Sequence, residues 1–253
     1  MAESDDRRGA GYDAIGSVYA RHRRPDPRVA AQIARALGEG GSVVNVGAGT
    51  GSYEPTDRTV VAVEPSRVMI AQRGSAAGPV VQAVAEHLPF PDDSFDAALA
   101  ILTVHHWTDP AGGLAEMARV ARRVVVFTFD FEVHRMFWLL EDYIPEAAAP
   151  PSTNVMGADT VAEIIGADRI ETVAVPADCV DGFNWAYWCR PEAYLDPEVR
   201  ACISGLALLD DDLVAERMER LREDLEDGTW DRRHGGLREL DRIDGGFRLV
   251  VRA

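Results

Sequence analysis

Between residues 42 and 130 the chain alternates short apolar runs with polar or helix-forming stretches, and this rhythm constrains the fold more than any other feature. The runs SVVNVG (42–47), TVVAVE (59–64), PVVQAV (79–84), DAALAILTV (96–104) and RRVVVFTFD (122–130) are of strand length and nearly continuous in apolar character, as strands covered on both faces require. The stretches between them suit helices. SRVMIAQR follows Pro65 with a serine cap, and DPAGGLAEMARVAR offers Asp109 as cap and Pro110 as first helical residue. Strands alternating with helices predict a parallel α/β sheet. The first crossover, SYEPTDR, is unusually short.

After Asp130 the rhythm changes. FEVHRMFWLLEDYIPEAAAPPSTN carries aromatics and prolines, ADTVAEIIG reads as a helix, RIETVAVP (169–176) as a sixth strand and GFRLVVRA as a terminal one. Roughly seventy residues separate those last two strands, more than a connection needs, and they are predicted to form a substrate cap. The expected organisation is one domain over 1–253, with 1–38 as N-terminal lid helices and 131–158 and 177–245 as cap elaborations. The cap aromatics Trp138, Tyr143, Phe183, Trp185, Tyr187 and Trp188 suit either an apolar substrate pocket or an ordinary core.

Composition removes several function classes. The net charge of −16 argues against nucleic acid or an anionic membrane surface as partner. Much of the acid lies in DDDLVAERMERLREDLEDG, where Leu213, Val214, Met218, Leu221 and Leu225 fall at helical spacing, so it reads as the solvated face of a helix. All 26 basic residues are arginine, which excludes a lysine Schiff base, a Walker lysine and a lysine general base. Cys179, Cys189 and Cys202 form no C-x-x-C pair and are odd in number, so reduced thiols are expected rather than a disulfide or zinc framework. The apolar run at 97–101 is too short for a membrane span. The charged start MAESDDRRGAG lacks an apolar signal core, and a cytoplasmic location is expected.

Gly47, Gly49 and Gly51 end the first strand as G-x-G-x-G, where absent side chains let backbone amides approach an anionic ligand group. The loop alone does not decide between a dinucleotide pyrophosphate and the amino-acid end of S-adenosylmethionine. Glu64 closes the second strand, and a carboxylate there can accept both ribose hydroxyls of either ligand.

The next stretch, AVAEHLPFPDDSFDAALAILTVHHW, separates them. Here the chain resembles the class I S-adenosylmethionine-dependent methyltransferases, in particular the small-molecule enzymes with an AE-LPFPD-SFD signature; the likeness covers about 12–130. The resemblance implies a Rossmann-like doubly wound sheet, mostly parallel with an antiparallel last strand, plus a helical and aromatic cap. It implies S-adenosyl-L-methionine as cofactor, with Gly47, Ala48, Gly49 and Gly51 holding the methionine portion, Glu64 the ribose, Met69 walling the adenine, and Ala85 and Glu86 at the adenine edge. Pro65 and Leu102 complete the implied cofactor site. Relatives often carry an aspartate where this chain has Val84, and an acid where it has Asn45. YDAIGSVYARHRRPDP resembles the N-terminal helix that closes over the cofactor, which places Tyr19 and Arg24 near the methionine carboxylate.

His105 and His106 follow the fourth strand, beyond whose C-terminus an α/β sheet presents ligands. Either imidazole can take a proton from a substrate nucleophile or serve as a pocket wall. The other histidines show no metal-binding spacing, so no metal is expected. The function read is methyl transfer to a small molecule, apolar or aromatic in part, with secondary metabolism among the classes it admits. An NAD(P)-dependent oxidoreductase would leave AEHLPFPDDSFD without a role and could have no Tyr-x-x-x-Lys dyad; a third reading is an S-adenosylmethionine-binding protein that does not methylate.

Overall fold

The computed structural model describes residues 24–75, 77–148, 155–207 and 209–253. Nine strands are present among them: β1 Ser42–Val46, β2 Thr59–Val63, β3 Val80–Val81, β4 Phe95–Ile101, β5 Ala121–Phe129, β6 Arg169–Thr172, β7 Val175–Pro176, β8 Arg242–Ile243 and β9 Phe247–Arg252. Seven form one sheet in the order β3-β2-β1-β4-β5-β9-β6. The pairs from β3 to β5 are parallel, and β9 runs antiparallel to both β5 and β6. The strand order reverses between β1 and β4, where a doubly wound sheet leaves its ligand crevice.

Central strands carry the apolar residues that two-sided burial demands: Val43, Val44 and Val46 of β1 and Ala98, Leu99 and Ala100 of β4 are fully buried. Alternate side chains point to opposite faces. Val44, Val46, Ala98, Ala100, Val124 and Val126 share a core with Leu114, Met117, Val161 and Ile165. The helix α1 (Pro27–Leu37) packs on β5 and β9 and buries Val29, Ile33, Ala36 and Leu37; burying Ile33 and Leu37 contributes about 1.5–3 kcal/mol each. The short α2 (Arg67–Ala71) is capped by Ser66, whose hydroxyl accepts from the Met69 amide at 3.3 Å. In α3 (Pro110–Val120) the Asp109 carboxylate accepts from the Gly112 amide at 3.0 Å, as its sequence predicts. The helix α4 (Ala158–Ile165) ends at Gly166, whose φ of 65° is left-handed, the conformation glycine adopts without strain.

Three strands differ from their expected extents, the run 96–104 ending as β4 at Ile101 with Val104 on a 3-10 turn. The segment 79–84 pairs only at Val80–Val81, because the chain then turns, the His87 amide bonding the Val84 carbonyl at 3.3 Å. The run 169–176 is divided: β6 pairs with β9, the Val173 amide makes a last bond to the Phe247 carbonyl, and β7 crosses to a separate two-stranded sheet with β8. Pro176 has no N–H with which to extend a ladder.

The described parts of 27–131, 152–173 and 246–253 group into a compact unit that holds the large sheet; those of 1–26, 132–151 and 174–245 group into another. In the second unit α5 (Asp211–Glu226) is capped by Asp210 and buries Val214, Met218 and Leu221, while Leu213 and Leu225 of the same stripe stay partly exposed. The helix α6 (Thr229–His234) buries Trp230. Among the described residues no helix is long and apolar enough to cross a membrane.

Candidate active site

The glycine loop follows β1 at the reversal point. Gly47, Gly49 and Gly51 all have left-handed φ, at 66°, 52° and 95°, and a side chain on Gly47 would collide with Thr103 at the end of β4. Glycine alone lets the two strand ends approach this closely. The loop amides are engaged within the protein: Gly47 and Ala48 N–H donate to the Val63 carbonyl at 2.9 and 3.0 Å, Gly51 N–H to Ala48 at 2.9 Å, and Gly49 N–H to Glu64 Oε2 at 2.8 Å. This corrects the expectation that these amides face an anionic group. No helix begins at the loop either, since residues 47–58 hold none, so the two features that bind a pyrophosphate are both missing there.

Glu64 is 7% exposed and accepts the Ser66 amide through Oε1 at 2.9 Å as well as the Gly49 amide through Oε2. Each carboxylate oxygen has a second lone pair, which leaves capacity for two hydroxyls. The half-buried Met69 places its methyl 3.4 Å from where a Gly49 side chain would begin. Pro65 is exposed and Ala48 buried.

Three further side chains support the loop, and the sequence reading missed their association. Arg73 Nη2 donates to both oxygens of Glu54 at 2.8 Å, Arg73 Nη1 donates to the Gly49 carbonyl at 3.3 Å, and Asn45 Nδ2 donates to Glu54 Oε1 at 2.9 Å. Their residue types are the signal that could have found them: an acid just past the glycines and an arginine just after α2.

At the end of β4, Leu102 adopts φ 48° and its amide bonds the Phe127 carbonyl at 2.7 Å. His105 and His106 lie on a single 3-10 turn, Val104–His106, with ring centroids 3.9 Å apart. His105 is partly buried and meets the Phe129 ring edge-on at 5.2 Å, whereas His106 is exposed. Both histidines therefore stand one residue or more beyond Thr103, the residue that touches the glycine loop.

The signature segment is held as scaffold. Glu86 Oε1 accepts the Thr108 and Asp109 amides at 2.9 and 3.0 Å, tying residues 85–88 to the start of α3. Ala85 is buried, and a side chain on Gly113 of α3 would strike both it and Trp107. Arg119 directs all five N–H donors to this segment and its support: Nε and Nη2 to the Glu116 carboxylate at 2.7 Å, Nη1 to the Phe90 carbonyl and Asp92 at 2.8 and 2.9 Å, and Nη2 to the Leu88 carbonyl at 3.2 Å. The Arg119 hydrogen bond holds the Glu116 carboxyl below its usual range. Val84 is 43% exposed.

Tyr19 lies outside the described residues. Arg24 is exposed and belongs to the unit without the large sheet. The three cysteines are free and buried, and burial pushes the Cys179 thiol up to about 12.

The cap aromatics form the core of the second unit. Phe137 stacks on Trp185 at 4.5 Å, and Trp138 meets Tyr143, Tyr194 and Trp230 edge-on at 5.9, 5.7 and 5.3 Å. Their polar ends are taken inside: Trp138 Nε1 donates to the Trp188 carbonyl at 2.8 Å, Trp185 Nε1 to His134 at 3.0 Å, Trp188 Nε1 to Pro176 at 3.3 Å and Tyr143 Oη to Asp224 at 2.8 Å. Of the six named from sequence, only Tyr187 is more than marginally exposed, and Arg190 covers its ring at 4.8 Å.

The fold is that of a doubly wound α/β protein whose strand order reverses between β1 and β4, beside the glycine loop and Glu64. The profile of the methyltransferase domain family matches residues 44–129. A demethylmenaquinone methyltransferase of Mycolicibacterium paratuberculosis is 30% identical over 187 residues, 69% of this chain and 80% of that protein. A chloroplastic 2-methyl-6-phytyl-1,4-hydroquinone methyltransferase of rice is 34% identical over 107 residues, 38% of this chain; the chain spans only 31% of that protein's length. Among solved structures, a protein of Anabaena variabilis described as a methyltransferase from an antibiotic biosynthesis pathway superimposes with TM-score 0.83 at 34% identity, covering 92% of this chain and 99% of that one. The chain belongs to the S-adenosylmethionine-dependent methyltransferase family, and its cofactor class is S-adenosyl-L-methionine.

Proposed function

We propose that the protein transfers a methyl group to a small molecule with an apolar or aromatic part. The observation that carries the reading is the glycine loop, whose amides at 47, 48, 49 and 51 are bonded internally while Glu64 keeps lone pairs for a ribose. That arrangement suits a nucleoside bearing an amino acid and not a pyrophosphate. When bound, S-adenosylmethionine supplies an electrophilic methyl on a sulfonium. Glu64 holds the ribose; Gly47, Ala48, Gly49 and Gly51 shape the methionine subsite; Pro65, Met69, Ala85 and Leu102 bound the adenosine, and the exposed Val84 gives it an apolar contact. Glu86 positions the adenine side through the α3 start rather than through a free carboxylate. Tyr19 and Arg24 retain their assignment to the methionine carboxylate.

The substrate class follows from the relatives, two of which act on quinone-type compounds by their names, and from the net charge of −16, which disfavours nucleic acid. A cytoplasmic location fits the same reading. Substrate choice is assigned to 131–158 and 177–245. His105 and His106 stand beyond the strand end from which a substrate proton is taken, His105 held by Phe129 and His106 open to solvent. If one is the base, its replacement by Ala lowers turnover about a hundredfold with cofactor affinity nearly intact. A loss below about tenfold in both variants assigns catalysis to orientation alone. Titration calorimetry tests the cofactor: S-adenosylhomocysteine gives heat and NAD and NADP give none, and heat from NAD alone overturns the reading.

A further inference from the structure

The support of the glycine loop points to a role that the reaction itself does not require. The Arg73 side chain is 4% exposed and that of Glu54 9%, so their bidentate pair is shielded from water and rigid. A carboxylate can only accept, so the Asn45 amide nitrogen must face Glu54, and its Oδ1 faces away. That oxygen belongs to a residue 1% exposed and has no hydrogen-bond partner. A buried acceptor without a donor is unfavourable, and a ligand donor relieves it. Gly49, at φ 52°, is pinned on both sides, its N–H by Glu64 and its carbonyl by Arg73.

We propose that Glu54 and Arg73 are positioning residues for the amino-acid end of the cofactor, locking Gly49 and turning Asn45 Oδ1 into a neutral acceptor for the ligand's ammonium. The inference rests on the cofactor reading above. An aspartate at 45 would set a second carboxylate against Glu54, nine residues on, with one guanidinium to serve both. Glu54 is the acid of this group, and Arg73 neutralises it.

The test compares two ligands by calorimetry: S-adenosylhomocysteine, and 5′-methylthioadenosine, which keeps the nucleoside and thioether but lacks the amino acid. In Arg73→Gln and Glu54→Gln, S-adenosylhomocysteine affinity is expected to fall about tenfold or more, the loss of a hydrogen bond to a charged group. The 5′-methylthioadenosine affinity is expected to stay within about threefold, which also shows that the variant is folded. Arg73→Lys, which keeps the charge but not the fork, should give an intermediate loss and covers the case in which the glutamine variants do not fold. Equal losses for both ligands, or no loss for either, overturn the proposal. Failure of the wild type to bind S-adenosylhomocysteine overturns the cofactor reading and this inference with it.

Discussion

The two compact units solve the same problem with opposite materials. The sheet unit is built from small aliphatic residues, with Val43, Val44, Ala98, Leu99 and Ala100 fully buried, and its shielded ion pair, Arg73–Glu54, lies outside the strands. The second unit is built from Trp138, Tyr143, Trp188, Tyr194 and Trp230, with indole and phenol groups distributed through the core. In the sheet the pattern of buried side chains fixes the register of the backbone ladders. The second unit has one two-residue ladder and relies on aromatic geometry and side-chain donors to fix its arrangement. The glycine loop and Glu64 follow the C-terminal ends of β1 and β2, inside the sheet rather than on its edge strands.

The largest expected effect sharpens that contrast. Trp138→Ala removes a side chain that meets four aromatic rings and one carbonyl, and denaturant titration should show a loss of about 3–5 kcal/mol. A loss under about 1 kcal/mol would mean that these rings are not a core. Next comes Glu64→Ala, which removes the proposed ribose acceptor and releases the Gly49 and Ser66 amides; S-adenosylhomocysteine binding should weaken by about 1.5–3 kcal/mol in calorimetry. Unchanged affinity removes Glu64 from the site.

His134 gives a pH-dependent member of the series. Burial holds its pKa down to about 4 from 6.5, and Asn184 Nδ2 contacts Nε2 at 3.0 Å while Nδ1 faces the Gly245 carbonyl at 3.4 Å, a neutral-ring arrangement. Below the unfolded value the unfolded chain takes up a proton that the folded one refuses. Stability is therefore fully present above about pH 6.5 and falls between there and about pH 4, by at most about 1.4 kcal/mol per pH unit. Melting of wild type and His134→Gln at pH 7 and pH 5 should show the steeper acid loss in the wild type; parallel losses would sink the assignment. The smallest effect is at Asp109→Ala, where loss of the cap on α3 should cost about 1 kcal/mol in the same assay.

How much of this was legible follows from which interactions are local. The strand runs and the Asp109 and Ser66 caps could be read, because periodicity and capping chemistry lie within a few residues of one another; the antiparallel last strand, the family and the cofactor came from the resemblance. The division of 169–176 could not, since Val173 and Val175 look alike until their partners, Phe247 and Ile243, are known. Nor could the fate of the aromatics: an indole destined for a pocket and one destined for a core read the same when the acceptor is a main-chain carbonyl 50 residues away, as for Trp138 and Trp188. The Asn45–Glu54–Arg73 group was hidden for a related reason, its two ends lying 28 residues apart across a strand and a loop.

Arg119 has a consequence for anyone wishing to redirect this enzyme to a new acceptor. Its five donors meet five acceptors on the 88–92 segment and Glu116, and an ammonium has only three to offer. The 86–92 segment is therefore, in this molecule, masonry, its carbonyls and carboxylates tied to Arg119 and to the start of α3. A library built to change substrate can leave residues 86–96 and Arg119 untouched and place its diversity elsewhere.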